Sequence, residues 1–224
     1  MVEANRNEPY TISDNNYFAD PFTSSLIYFM GMTNKNIPTL LISNDGGSSW
    51  DKNSRFNLPV SGITNNISMY FEPHKGDRAY AILSDQMITS KDHAKSWLKC
   101  GDIPKSGAIQ SRLVIDPRDA KHLYLATMGQ GILVSKDTCK SWNPTNDGIS
   151  NPYIHTLAMD PKNPDTLYAG SANGAYMSKD GGKTWGEINN GLLGELIIYS
   201  MAVNPQDGTL FANTPYGIFS LTNN

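Results

Sequence analysis

Two cysteines in 224 residues are too few for a disulfide framework or a zinc site; one bridge, Cys100 with Cys139, is the most they can form. Charge is sparse as well. Charged side chains make up 17% of the chain and its net charge is −3, without the basic excess that nucleic-acid binding needs. No apolar run approaches the roughly 18 residues of a membrane helix, which argues against membrane insertion, and residues 1–10 lack the apolar centre of a signal peptide. The four histidines, His74, His93, His122 and His155, stand at unrelated places, so no metal triad or nucleophile–base pair is visible. No cofactor and no metal are expected. Only one long stretch, Asp77–Cys100, is free of glycine, proline and asparagine. What the chain does have is a 39% hydrophobic content, enough for a folded core, and 22 asparagines, 19 glycines and 13 prolines spread throughout. That spread predicts many turns joining short elements.

The turns repeat. Ser43 to Trp50 (SNDGGSSW) recurs as Ser90 to Trp97, Ser135 to Trp142 and Ser178 to Trp185, with the common pattern S-x-D-x-x-x-[ST]-W. The four tryptophans lie 47, 45 and 43 residues apart. A second marker runs in register: Asp20-Pro21, Glu72-Pro73, Asp116-Pro117, Asp160-Pro161 and Asn204-Pro205, with prolines 52, 44, 44 and 44 residues apart. Five units result. Short runs rich in Ile, Val, Tyr and Phe between the markers read as strands A to D, in the fourth unit Ile154–Met159, Leu167–Ser171, Gly174–Ser178 and Thr184–Ile188. Asp77–Cys100 falls on strands B to D of the second unit rather than on a helix.

Four-stranded units of this length are propeller blades, since a small twisted sheet cannot bury both faces alone. The expected fold is all-β, a β-propeller of about five blades forming a single domain over 1–224. The fifth unit (Tyr199–Val203, Thr209–Ala212, Gly217–Leu221) stops before a strand D, and counting back from Asp20 places residues 2–8 where that strand is missing. The expectation is closure by this N-terminal segment; a piece of a larger propeller, or a half-ring completed by another copy, are the alternatives.

The S-x-D-x-x-x-[ST]-W element resembles the Asp-box, or BNR repeat, of sialidases, sortilin-type receptors, xyloglucanases and photosystem II assembly factors. The match extends from Tyr17 to Leu221. The box residues Ser43, Asp45, Trp50, Ser90, Asp92, Trp97, Ser135, Asp137, Trp142, Ser178, Asp180 and Trp185 read as structural: the Asp accepts backbone N–H groups in the C–D turn and the Trp packs between blades. Ala94 and Cys139 stand where the other boxes have a second glycine, which predicts differently shaped turns there. The carboxylates before proline read as caps of the A–B turns.

Function is expected where the repeats differ, on the face formed by the D–A and B–C loops. The first unit carries two insertions there, about five residues around Thr33, Asn34, Lys35, Asn36 and Pro38, and about three within Leu58–Asn66. Asp14, Tyr17, Asp85, Gln130, Tyr153, His155, Asn173, Glu195 and Tyr216 are placed on the same face. Rings mixed with amides and a few carboxylates suit a sugar or a peptide. Sialidases resemble one another in an arginine triad, and Arg6, Arg55, Arg78, Arg112 and Arg118 do not supply one. The expectation is a non-catalytic scaffold binding a protein, peptide or glycan, with a xyloglucanase-like glycosidase as the alternative. The resemblance also implies a secreted or periplasmic location.

Overall fold

The computed structural model describes residues 10–11, 17–33, 38–57, 67–74, 77–83, 86–104, 112–192 and 196–222. Their regular structure is all strand, and no helix among them is long and apolar enough to cross a membrane. The chain divides into two compact units, Met1–Cys100 and Gly101–Asn224.

The first unit holds two antiparallel sheets. One comprises β1 (Tyr10–Thr11), β2 (Tyr17–Ala19), β3 (Ile27–Thr33), β4 (Pro38–Ser43) and β5 (Asp51–Asn57). Its strand A is in two pieces, Tyr10–Thr11 facing Met32–Thr33 and Tyr17–Ala19 facing Ile27–Phe29. The second sheet comprises β6 (Ile67–Phe71), β7 (Ala79–Leu83), β8 (Gln86–Ser90) and β9 (Leu98–Lys99), so Asp77–Cys100 is strand as expected. Tyr28, Met30, Leu40 and Ile42 of the first sheet share a core with Ile67, Met69, Ala81 and Trp97 of the second.

The second unit holds three sheets. The third sheet is β10 (Arg112–Ile115), β11 (Leu123–Ala126), β12 (Ile132–Ser135) and β13 (Asn143–Pro144); the fourth is β14 (Ile154–Met159), β15 (Leu167–Ser171), β16 (Gly174–Ser178) and β17 (Gly186–Glu187). The fifth has three strands, β18 (Ser200–Val203), β19 (Leu210–Thr214) and β20 (Gly217–Leu221). Residues 2–8, expected as its outer strand, lie outside the described residues. The second strands β7, β11 and β15 are buried along their whole length, which is why they read as continuous apolar runs rather than as alternating ones. In the fourth unit, strands A to C fall where the pattern put them and strand D is shorter. Thr184 gives its N–H and hydroxyl to Asp180, and the N–H of Trp185 goes to the carbonyl of Asp147, so neither residue can pair with β16.

All four boxes share the same bond between serine hydroxyl and aspartate carboxylate. In the fourth, the Ser178 hydroxyl donates to Asp180 Oδ1 at 2.8 Å and accepts the Gly182 N–H at 2.9 Å, while the Thr184 hydroxyl donates to Asp180 Oδ2 at 2.7 Å. Both carboxylate oxygens are thereby occupied within the turn. The Ser49 and Ser141 hydroxyls lead in holding Asp45 and Asp137 down at about 2, and the Thr184 N–H does so for Asp180.

The expected difference in shape at Ala94 and Cys139 is not found. His93 and Ala94 adopt φ of 55° and 61°, and Thr138 and Cys139 adopt 64° and 57°, close to the 71° and 80° of Gly181 and Gly182. The serine–aspartate clamp imposes one geometry, and side chains occupy it at a cost of about 1–2 kcal/mol each. The A–B turns are capped as expected: Asp20 Oδ1 accepts the N–H of Phe22 at 2.8 Å and Asp160 Oδ1 that of Lys162 at 2.9 Å. Neither cysteine is a free thiol; Cys100 and Cys139 are both disulfide-bonded.

Candidate functional site

In a four-stranded meander the A–B and C–D turns share one end of the sheet and the B–C turns and D–A connections the other. The second unit shows how that second end is built. In each of its sheets a hydroxyl residue closes β11, β15 or β19 and ties the B–C turn together. The Thr127 hydroxyl donates to the carbonyl of Gly131 at 2.8 Å, Ser171 to Gly174 at 3.0 Å and Thr214 to Gly217 at 3.0 Å. The same oxygens accept the N–H groups of Gln130, Asn173 and Tyr216 at 3.1, 3.0 and 3.1 Å. Three of the expected site residues therefore occupy equivalent, anchored places at the tips of successive sheets.

The D–A connections run beside these tips. Gly129 and Gly131 both donate to the carbonyl of Pro152, and Met128 bridges Tyr153. A ring nitrogen of the half-buried His155 lies 3.2 Å from the carbonyl of Ile198, which gives the imidazole a positioning role in the backbone rather than a free edge. The carboxamide nitrogen of Gln130 is likewise committed, to the carbonyl of Pro104 at 2.6 Å. Tyr153, Tyr199 and Tyr216 remain 51%, 51% and 58% exposed. Tyr199 was not among the expected residues; its signal is an aromatic following the apolar run Leu196–Ile198 at the start of strand A.

Basic charge is segregated between the two ends. Among the described residues 112–222, Arg118, Lys121, Lys136, Lys140, Lys162, Lys179 and Lys183 all lie on the A–B and C–D turns, and Arg112, opening β10, is the one lysine or arginine at the loop end. Among the described residues, the loop end beside the three tyrosines is thus poor in basic groups.

Of the remaining expected residues, Thr33 ends β3 opposite Tyr10. Asn34, Lys35, Asn36, Asp14, Asp85 and Glu195, and the whole of the second insertion, lie outside the described residues. Tyr17 corrects its expectation: its ring packs 5.0 Å from Phe29 and 5.9 Å from Trp50, beside the C–D turn rather than at the loop end. The cause is the short β2, which begins only three residues before the Asp20 turn.

Repeated boxes, tips and meanders make the chain comparable with known families. The Sortilin-Vps10 family model, described as sortilin, neurotensin receptor 3, matches residues 85–211. The chain belongs to the Sortilin-Vps10 family. No curated protein matches it by sequence. Solved structures similar to this family member include an ancestral GH74 enzyme (18% identity, TM-score 0.67, 91% of this chain and 30% of that one) and the GH74 enzyme of Niastella koreensis (16%, 0.65, 92% and 35%). A third is YCF48 bound to D1 peptide (19%, 0.59, 94% and 69%). This Sortilin-Vps10 chain spans about a third of the length of the GH74 enzymes, and the likeness is one of fold, the β-propeller.

Proposed function

We propose that the chain is a non-catalytic binding module and that the loop end of its third to fifth sheets holds an uncharged, extended ligand, a peptide segment or a glycan chain. The observation that carries this is the set of half-exposed tyrosines, Tyr153, Tyr199 and Tyr216, beside anchored backbone tips. Rings fixed by rigid turns stack on sugars or peptide groups at small entropic cost, and neighbouring amides supply directional hydrogen bonds. An acidic ligand would find few basic partners here. A similar fold does take a peptide in YCF48 bound to D1 peptide, which supports the reading without fixing the sequence bound. The disulfide adds a compartment: persistent bridges belong to oxidising environments, so the protein works in a secreted or periplasmic setting.

The test is calorimetric titration of the protein with neutral xyloglucan oligosaccharides and with pools of uncharged peptides. Tyr153→Ala and Tyr216→Ala are expected to lower affinity about tenfold each with unchanged melting temperature. Unchanged affinity in both variants would remove the ligand from this surface. Release of reducing ends from xyloglucan would replace the binding reading with hydrolysis.

A further inference from the structure

The fourth sheet shows what a box tryptophan requires of the sheet before it. Trp185 shares a core with Tyr124 and Ile132 of the third sheet and with Leu167, Ala169 and Tyr176 of its own. Its backbone N–H goes to the carbonyl of Asp147 at 2.8 Å and its indole N–H to that of Thr145 at 2.9 Å. Two carbonyls of one D–A connection thus hold one residue. Asp147 also bridges Thr184 in parallel, and glycine must follow it, since a Cβ on Gly148 would stand 2.0 Å from the Trp185 carbonyl oxygen.

The same connection recurs between the fourth and fifth sheets. Ile188, Asn190, Gly191 and Leu192 stand 43 positions after Thr145, Asp147, Gly148 and Ile149. The backbone is alike. Ile188 donates to Ala175 as Thr145 does to Ile132, both at 2.9 Å, and Gly191 has φ +87° against +88° for Gly148. Beneath the B–C turns, Asn189 Oδ1 accepts the Ala175 N–H at 2.8 Å as Asn146 Oδ1 accepts that of Ile132 at 2.7 Å. Tyr168, Met201, Leu210 and Ala212 repeat the surrounding core. A Cβ on Gly191, however, would meet no described atom within 4 Å, and no described residue donates to the carbonyls of Ile188 and Asn190. Where the third and fourth sheets enclose an indole, these two enclose a groove of about 130 Å³, lined by Ala175, Ile188, Leu192, Met201, Leu210 and Phe219 and by no tryptophan. Ala175 in the place of Ile132 deepens it.

We propose that this groove is a second binding site, taking an extended peptide segment of a partner protein that carries a tryptophan. The indole lies against Met201 and Leu210 and donates to the Ile188 carbonyl, the backbone N–H of the same residue donates to that of Asn190, and Gly191 leaves room for the peptide carbonyl that follows. Phenylalanine would fill the groove less and lacks the ring donor, so the site selects tryptophan. Tyr153, Tyr199 and Tyr216 do not line it, and it stands apart from the ligand surface at the loop end.

The probe is a capped tetrapeptide with the sequence of residues 183–186, Lys-Thr-Trp-Gly, titrated into the 224-residue chain by calorimetry and followed by amide chemical shifts. Saturable one-to-one binding is expected, with shifts centred on residues 188–192 and 210–212. Methylating the indole nitrogen, which removes only its N–H, is expected to weaken binding about tenfold, and replacing the tryptophan with alanine to abolish it. Ala212→Leu, which fills the groove, is expected to abolish binding too, while Tyr153→Ala and Tyr216→Ala bind the peptide as the parent chain does. If Ala212→Leu does not fold, the three peptides decide alone. Absence of saturable binding, indifference to the indole N–H, or loss of binding in the tyrosine variants would overturn the proposal. So would self-association of the chain that the peptide reverses, which would give the groove to a second copy.

Discussion

The Tyr124 hydroxyl donates to the carbonyl of Gly181 at 2.8 Å, joining strand B of the third sheet to the box turn of the fourth across 57 positions of sequence. Its ring also sets the space around the neighbouring glycine, since a Cβ on Gly182 would come 3.1 Å from Cε1. Tyr124→Phe keeps that packing and removes the bond, so it is expected to cost about 1 kcal/mol in urea unfolding with an unchanged denaturant slope. A neutral result would mean that the bond forms equally well to water.

The strained turns predict an unusual gain. Thr138 is β-branched at φ 64°, a conformation that favours glycine. Thr138→Gly is expected to stabilise the protein by about 1 kcal/mol, and Gly181→Ala, which meets no atom closer than 3.6 Å, to lose a similar amount through strain alone. Paired thermal unfolding curves check both signs at once.

Trp185 and Trp142 are both buried, but their indole N–H groups differ. That of Trp185 donates to the carbonyls of Thr145 at 2.9 Å and Gly182 at 3.1 Å, whereas that of Trp142 has no partner among the described residues. Trp185→Phe is therefore expected to cost about 1–2 kcal/mol more than Trp142→Phe, because only the first leaves carbonyls without their donor. Equal losses in chemical denaturation would contradict this.

The boxes should fail in acid within a defined window. Asp45, Asp137 and Asp180 ionise at about 2 in the fold against an ordinary 3.8, so the folded state favours their charged form. Their contribution is complete above about pH 4 and is lost as pH falls from there towards about 2. Melting temperature followed over that range should drop, and the drop should be shallower in Asp180→Asn.

Strand positions and the box bonds were legible in the sequence because both depend on neighbours within a few residues: Ser178, Asp180 and Thr184 satisfy one another wherever the turn lies. The tyrosines of strand B were harder to see. Tyr28, Tyr80, Tyr124 and Tyr168 each follow the turn proline by seven positions, a periodicity readable in principle, but their complete burial comes from tertiary packing, which spacing does not encode. The asparagines beneath the B–C turns were missed for a related reason. Only the third and fourth units have one four residues after the tryptophan, with Gly101 and Ser54 at that step in the second and first. At the loop end, the pattern identified the tips Gln130, Asn173 and Tyr216, yet the commitment of the Gln130 and His155 side chains to Pro104 and Ile198 depends on distant backbone that no local rule brings near.

The reach of the box bonds also orders events in time. Ser135, Asp137 and Ser141 close on one another over two to four residues, contacts that a chain can make on the microsecond scale of hairpin formation. The Tyr124–Gly181 bond must wait for a 57-residue loop to close. The C–D hairpins are thus the natural nuclei, each forming without its neighbours, and the sheets dock afterwards. Substitutions at Ser135 should then slow refolding, while those at Tyr124 should leave refolding alone and hasten unfolding.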